Sequence, residues 1–314
     1  MQGQAGSVRG LLASVLLAIA SAGQAAVPTP EDRRATLAIG DAAELETALS
    51  KGDARRARAL EKRIRERGPR TLAALEKQAK RAVPEARFAL ALFLSRGLRA
   101  AADAQLACKY FGQAADAGHA AASYHAALCT LDTDPARAAR LMQAAAARQH
   151  PAAQEAIGRA CLEDKRERNL DCAVRNVAAA ARAGRPSAQS LFAWMHAMGI
   201  GVDREPITAL ALYLTAAGKG ELAAQNNLGE LYESGAEPGL ATDPRRAALW
   251  YESAARGGFG IAQYNLGRMY ASGIGVEYDA TAARYWLGKA EQRGIASAAA
   301  LLRRLDADTS ARPR

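Results

Sequence analysis

The feature that most constrains this chain is that it repeats itself across residues 86–297. Six units open on Ala86, Ala122, Ala153, Ala188, Ala224 and Ala262, a period of about 36 residues. Within each, a residue suited to capping a helix precedes the second apolar stretch: Asp103, Asp134, Asn169, Glu205, Asp243 and Asp279. Their side-chain oxygens can accept from the free N–H groups of a first helical turn. Pro135, Pro206 and Pro244 follow directly, where the missing proline N–H does no harm.

Four residues past each cap stands an alanine (Ala107, Ala138, Ala173, Ala209, Ala247, Ala283), and eleven past it another (Ala114, Ala145, Ala180, Ala216, Ala254, Ala290). These offsets share one helix face, so neighbouring helices can approach closely there. Tyr110, Leu141, Leu212, Trp250 and Trp286, seven past the cap, are expected to fill the remaining core. Gly118, Gly184, Gly220, Gly258 and Gly294 close units with a left-handed turn, and Gln149 is the departure.

The first stretch of each unit carries its own helical stripe, as in Ala262, Leu266, Met269, Tyr270 and Gly273. A lone hairpin cannot bury both stripes, so the expected fold is all-α: a right-handed α/α superhelical solenoid of helix-turn-helix repeats. Alanine and leucine carry most of the apolar composition, which favours helix and argues against a large sheet.

Residues 262–294 closely resemble a Sel1-like repeat. Leu266-Gly267, Tyr270, Gly273-Ile274-Gly275-Val276, Asp279, Ala283, Trp286, Ala290 and Gly294 all fall on its pattern, and Gly199-Ile200-Gly201-Val202 repeats the loop. The likeness weakens towards the N-terminus: the unit from Ala122 lacks the glycine-rich loop, and the unit from Ala153 has Asp164-Lys165-Arg166-Glu167-Arg168 in its place. The resemblance implies an adaptor or scaffold related to tetratricopeptide proteins. The expected layout is a signal peptide over 1–26, a helical cap over 27–85, repeats at 86–121, 122–152, 153–187, 188–223, 224–261 and 262–297, and a cap helix with polar tail over 298–314.

Residues 11–20 (LLASVLLAIA) follow Arg9 and precede small residues, the pattern of an export signal cut after Ala25 or Ala26. With no cysteine near that site and no later apolar run of spanning length, the expected product is periplasmic or secreted, not lipid-anchored. Four cysteines in such a chain invite pairing. Cys108 and Cys129 lie evenly about the turn at Gly118-His119, and Cys161 and Cys172 flank the charged loop, so each pair is expected to bridge adjacent helices.

The net charge of +10 is spread among acids along helices such as 54–68, the pattern of a solvated face, and no nucleic-acid partner is expected. His119, His125, His150 and His196 take different repeat offsets and form no metal-ligand spacing with the cysteines, so no metal or cofactor is expected. Neither a Ser-x-x-Lys nucleophile in a catalytic context nor His-Glu-x-x-His occurs, and the glycine-x-glycine loops read as turns, so the chain is read as non-catalytic. If first helices line the inner curve, as the resemblance implies, offsets three, six and ten face a partner. They nominate His125, Arg159, Trp194, Met198, Asn227, Glu230, Asn265 and Arg268 for a protein partner in the cell envelope. An acidic cell-wall glycan is the alternative, motivated by the basic excess. A β-lactam-binding or hydrolysing activity, known in cysteine-rich Sel1-like proteins, is the third.

Overall fold

The computed structural model describes residues 29–67, 69–98, 102–164, 169–235 and 241–311. The expected signal peptide, and the core of the charged 164–168 loop, lie outside them. Among the described residues every regular element is an α-helix, sixteen in all. The chain divides into two units, 1–167 and 168–314, each with its own packing.

In the first unit, α1 (Pro30–Ser50), α2 (Ala54–Glu66) and α3 (Pro69–Lys80) precede the hairpin of α4 (Pro84–Ser95) and α5 (Ala104–Asp116). Next come α6 (Ala120–Thr130), α7 (Pro135–Ala147) and α8 (Pro151–Glu163). The second unit holds α9 (Leu170–Arg182), then the hairpins α10 (Pro186–Met198) with α11 (Pro206–Gly218), α12 (Leu222–Ser234) with α13 (Pro244–Arg256), and α14 (Gly260–Ser272) with α15 (Ala280–Gln292), and ends in α16 (Ala296–Ala311). Within each unit the hairpins pack in chain order, each second helix against the next first helix. Sequential pairing of this kind is the arrangement of a repeat solenoid.

Local chemistry sets the boundaries. Asp103, Asp134, Asn169, Asp243 and Asp279 each accept a backbone N–H of the first turn of α5, α7, α9, α13 and α15. Glu205 stands at the same position before α11 but makes no side-chain cap, its carboxylate accepting instead from Thr208 Oγ1 at 2.9 Å. All twelve alanines at offsets four and eleven are buried. The bulk between them sits one residue later than the sequence suggested. Tyr110, Leu141, Leu212, Trp250 and Trp286 are half-buried, whereas Phe111, Val177, Tyr213, Tyr251 and Leu287 lie at the centre. Offset eight lies one helical turn beyond offset four and so shares its inward face more fully. Close approach does the rest: a Cβ on Gly229 would come 2.5 Å from Tyr251 Cε1, so the ring of α13 lies directly on the backbone of α12.

The loop after α14 uses its second glycine in the same way. Gly275 has φ +76°, and a Cβ there would lie 2.2 Å from the carbonyl oxygen of Pro244, at the start of α13. The loop therefore docks backbone-to-backbone on the preceding hairpin.

Gln149 adopts the left-handed turn (φ 62°) that glycine supplies in the other units. A side chain there costs about 1–2 kcal/mol, part of which glycine returns as unfolded-chain entropy. Gln149→Gly should therefore raise stability by about 0.5–1 kcal/mol, read as a higher urea midpoint with unchanged slope.

Candidate partner-binding face

In the second unit the residues nominated from the first helices divide into an open set and a bonded set. On α10, Trp194 and Met198 stand one turn apart and are 36% and 62% exposed. Large apolar groups side by side in water mark a contact surface, an aromatic one above all. On α12, Glu230 is exposed and Asn227 half-buried. Asn226 Nδ2 donates to Glu230 Oε1 at 2.8 Å, which holds that carboxylate in place.

Asn265, nominated as an exposed residue, is buried. Its Nδ2 donates to Asn226 Oδ1 at 3.1 Å, so it ties α14 to α12. Arg268 is half-buried, and its Nη2 reaches both oxygens of Glu233 at 2.7 Å. Tyr251 Oη donates to the same carboxylate at 3.0 Å. Burial and the Glu233 charge hold the Tyr251 hydroxyl above the ordinary phenol range, so it stays a donor. Burial likewise pushes Tyr213 up to about 12. The result is a fixed polar ladder across α12 and α14, with the apolar pair of α10 beside it in chain order.

In the first unit the chain places its own helix against the first helices. Along α1, Ala35, Ala38, Ile39, Ala42, Leu45 and Ala48 are buried, and Glu46 lies among them at 6% exposure. Its Oε2 is 2.7 Å from His125 Nε2 on α6, and its Oε1 is 2.9 Å from His150 Nε2 before α8. His150 Nδ1 accepts the Ala153 N–H as a helix cap, which leaves Nε2–H to donate to Glu46. His119 caps α6 by the same device through Ala122.

The rings are packed as well as bonded: His119 stacks on Phe88, His125 on Phe111 and His150 on Tyr124, at centroid distances of 4.4, 4.6 and 4.6 Å. Burial alone would raise the Glu46 carboxyl, but the two histidines outweigh it and hold it down to about 2. Burial pushes His119 below the ordinary imidazole range, against the pull of Glu85 and Glu46.

His125 is thus engaged by α1 instead of standing free. Arg159 on α8 is exposed and pairs with the buried Glu155 at 2.9 Å. Asp41, also buried on α1, accepts from Arg63 at 2.8 Å and from Arg67. Sequence reasoning missed Glu46 because residues 30–80 carry no repeat register. The available signal was one acid among the apolar positions of a long helix.

Cys108 and Cys129 form a disulfide joining α5 to α6, with Cα atoms 5.7 Å apart. Among the described residues no cysteine is free, Cys161 and Cys172 each being oxidised as well. No group of histidine, cysteine or acidic residues suited to a metal ion occurs among the described residues. No helix among them is long and apolar enough to cross a membrane.

Hairpins with alanine-lined interiors, capped second helices and glycine-docked loops define a class, the α/α repeat proteins. The Sel1 repeat model matches residues 84–119, 123–150, 186–221, 222–259 and 260–295, more than half of the sequence, and the chain belongs to that family. The stretch between the second and third matches, which carries the charged loop, is unmatched.

Among solved structures, a protective antigen of uropathogenic Escherichia coli with an SLR fold is similar over 74% of this chain at 28% identity (TM-score 0.62). A Sel1 repeat protein from Oxalobacter formigenes is similar over 78% at 24% identity (TM-score 0.63). The similar region spans 50% of the E. coli protein and 96% of the Oxalobacter one. No curated protein matches.

Proposed function

We propose that the chain is an exported, non-catalytic scaffold that holds a protein partner of the cell envelope on the first-helix face of its second unit. The observation that carries this reading is the exposed Trp194–Met198 pair on α10, with the fixed carboxylate of Glu230 at the register of Trp194 on the next first helix, α12. An aromatic anchor with a neighbouring apolar group and a preorganised charge is the composition of an interface hot spot. Family membership supports a scaffold, since Sel1 repeats are built for stacking and recognition. Oxidised cysteines support an exported location, because such bonds persist in oxidising compartments.

Affinity capture from envelope extract tests the proposal. The wild-type chain should retain a partner that Trp194→Ala/Met198→Ala loses at least about tenfold, since losing a hot-spot anchor costs 2 kcal/mol or more, roughly. Leu249→Ser, altering an exposed leucine on the second helix α13, should leave capture unchanged. Equal capture by all three chains would remove the site from this face.

A further inference from the structure

The charges of the second unit are sorted by helix. The second helices α9, α13 and α15 each carry more cations than acids, whereas the first helices α10, α12 and α14 hold only Glu230, Glu233 and Arg268 besides the packed His196. Arg268 is consumed by Glu233, whose two oxygens it meets at 2.7 Å. Glu230 is exposed and pairs with no cation among the described residues. In a chain of net charge +10, the first-helix face is therefore acidic, and its one open charge is Glu230.

That carboxylate is set in place by a relay of amides. Asn265 Nδ2 on α14 donates to Asn226 Oδ1 at 3.1 Å, and Asn226 Nδ2 donates to Glu230 Oε1 at 2.8 Å. Oε1 is thereby occupied and Oε2 is left to accept from a partner. An exposed ion pair is usually weak because two mobile side chains must be ordered to make it, and here one of them is ordered in advance.

Register sets the distance from this charge to the apolar anchor. Trp194 and Glu230 share offset six on α10 and α12, two first helices that touch. Axes of packed helices run about 8–10 Å apart. An extended chain advances about 3.3 Å per residue, so two to four residues cover that separation, with the long stem of a lysine or arginine taking up the difference.

We infer that the partner docks through an extended segment that sets a large apolar side chain two to four residues from a lysine or arginine. The apolar group covers Trp194 and Met198, and the cation pairs with Glu230 Oε2. This rests on the Trp194–Met198 face being the docking surface and adds the chemistry that the face selects. The rest of the chain, being basic, repels cations, so a preference for a basic segment has to arise on this face.

A peptide array probed with the full chain decides it. Each peptide places one Phe, Leu, Ile or Met in a glycine-serine frame with Lys, Gln or Glu two to four residues away, and the strongest binders are titrated by fluorescence anisotropy. Lys peptides should bind about fivefold tighter than Gln peptides of the same spacing, the upper value for an exposed ion pair, and Glu peptides should bind weakest. Glu230→Gln keeps the oxygen that accepts from Asn226 and removes only the charge, so it should bring Lys and Gln peptides to equal affinity. Trp194→Ala/Met198→Ala should weaken every peptide about tenfold. Salt at about 1 M, where charges are screened beyond about 3 Å, should erase the Lys preference and leave the apolar binding. Equal affinity of Lys, Gln and Glu peptides, lost in the double variant, would overturn the charge assignment and leave the face standing. A Lys preference that survives Glu230→Gln, or an array that binds nothing, would overturn the inference too, while the envelope capture judges the face separately. Peptide binding untouched by the double variant would remove the face itself.

Discussion

Glu46→Ala is expected to destabilise the first unit by about 3–5 kcal/mol at neutral pH, the usual result of removing one partner from a buried, hydrogen-bonded polar cluster. The loss has two sources. The Nε2 groups of His125 and His150 are left facing a small cavity, and α1 loses its bond to α6 and to the start of α8. Urea unfolding followed by circular dichroism measures it.

The pH dependence distinguishes the charge from simple packing. With its native value near 2 and its ordinary value at 4.5, Glu46 contributes its full stabilisation above about pH 4.5 and loses it as the pH falls towards 2. Stability in that window should fall steeply in the wild type and much less in Glu46→Ala. His119 acts in the same direction at higher pH. Its native value lies below 6.5, so stability begins to decline once the unfolded chain takes up that proton. This upper part of the profile should survive in the variant. A wild-type profile flat from pH 4.5 down to 2 would show that the histidines do not hold the carboxylate ionised.

The second large effect is expected at Gly275. Alanine there must tolerate a left-handed backbone, at about 1–2 kcal/mol, and a Cβ placed 2.2 Å from the Pro244 carbonyl, where no side chain can swing aside. Overpacking of this kind adds about 1–3 kcal/mol. Gly275→Ala should therefore cost about 3 kcal/mol or more, seen as loss of a large part of the second unit's denaturant resistance. Gly288→Ala is the control: it lies mid-helix on α15 with nothing within 4 Å of the added Cβ, and should be neutral or slightly stabilising. Comparable losses in both would mean that the loop does not seat on α13.

Much of this fold was legible because a repeat states its rules several times over. The alanines at offsets four and eleven, the caps at Asp103, Asp134, Asn169, Asp243 and Asp279, and the left-handed closing positions occupy the places their chemistry requires. The centre of the core was less legible. Offsets seven and eight are adjacent on the helix, and the conspicuous tryptophans at seven drew attention from Phe111, Val177 and Leu287 at eight.

The candidate sites were legible only in part, since they depend on pairings between elements. Offset arithmetic could place Trp194 and Met198 on an exposed row, but not show that Asn265 turns inwards to Asn226. Nor could it show that α1, outside the repeat register, occupies the space beside His125.

The cross-link between α5 and α6 has a mechanical consequence. Arrays of this kind come apart by peeling, since each hairpin is held mainly by its neighbours. Because the bond runs from the second helix of one hairpin to the first helix of the next, those two hairpins stay tethered after their contacts open. The bond limits how far the two helices can separate there, so an unzipped stretch keeps its mate within reach to close again.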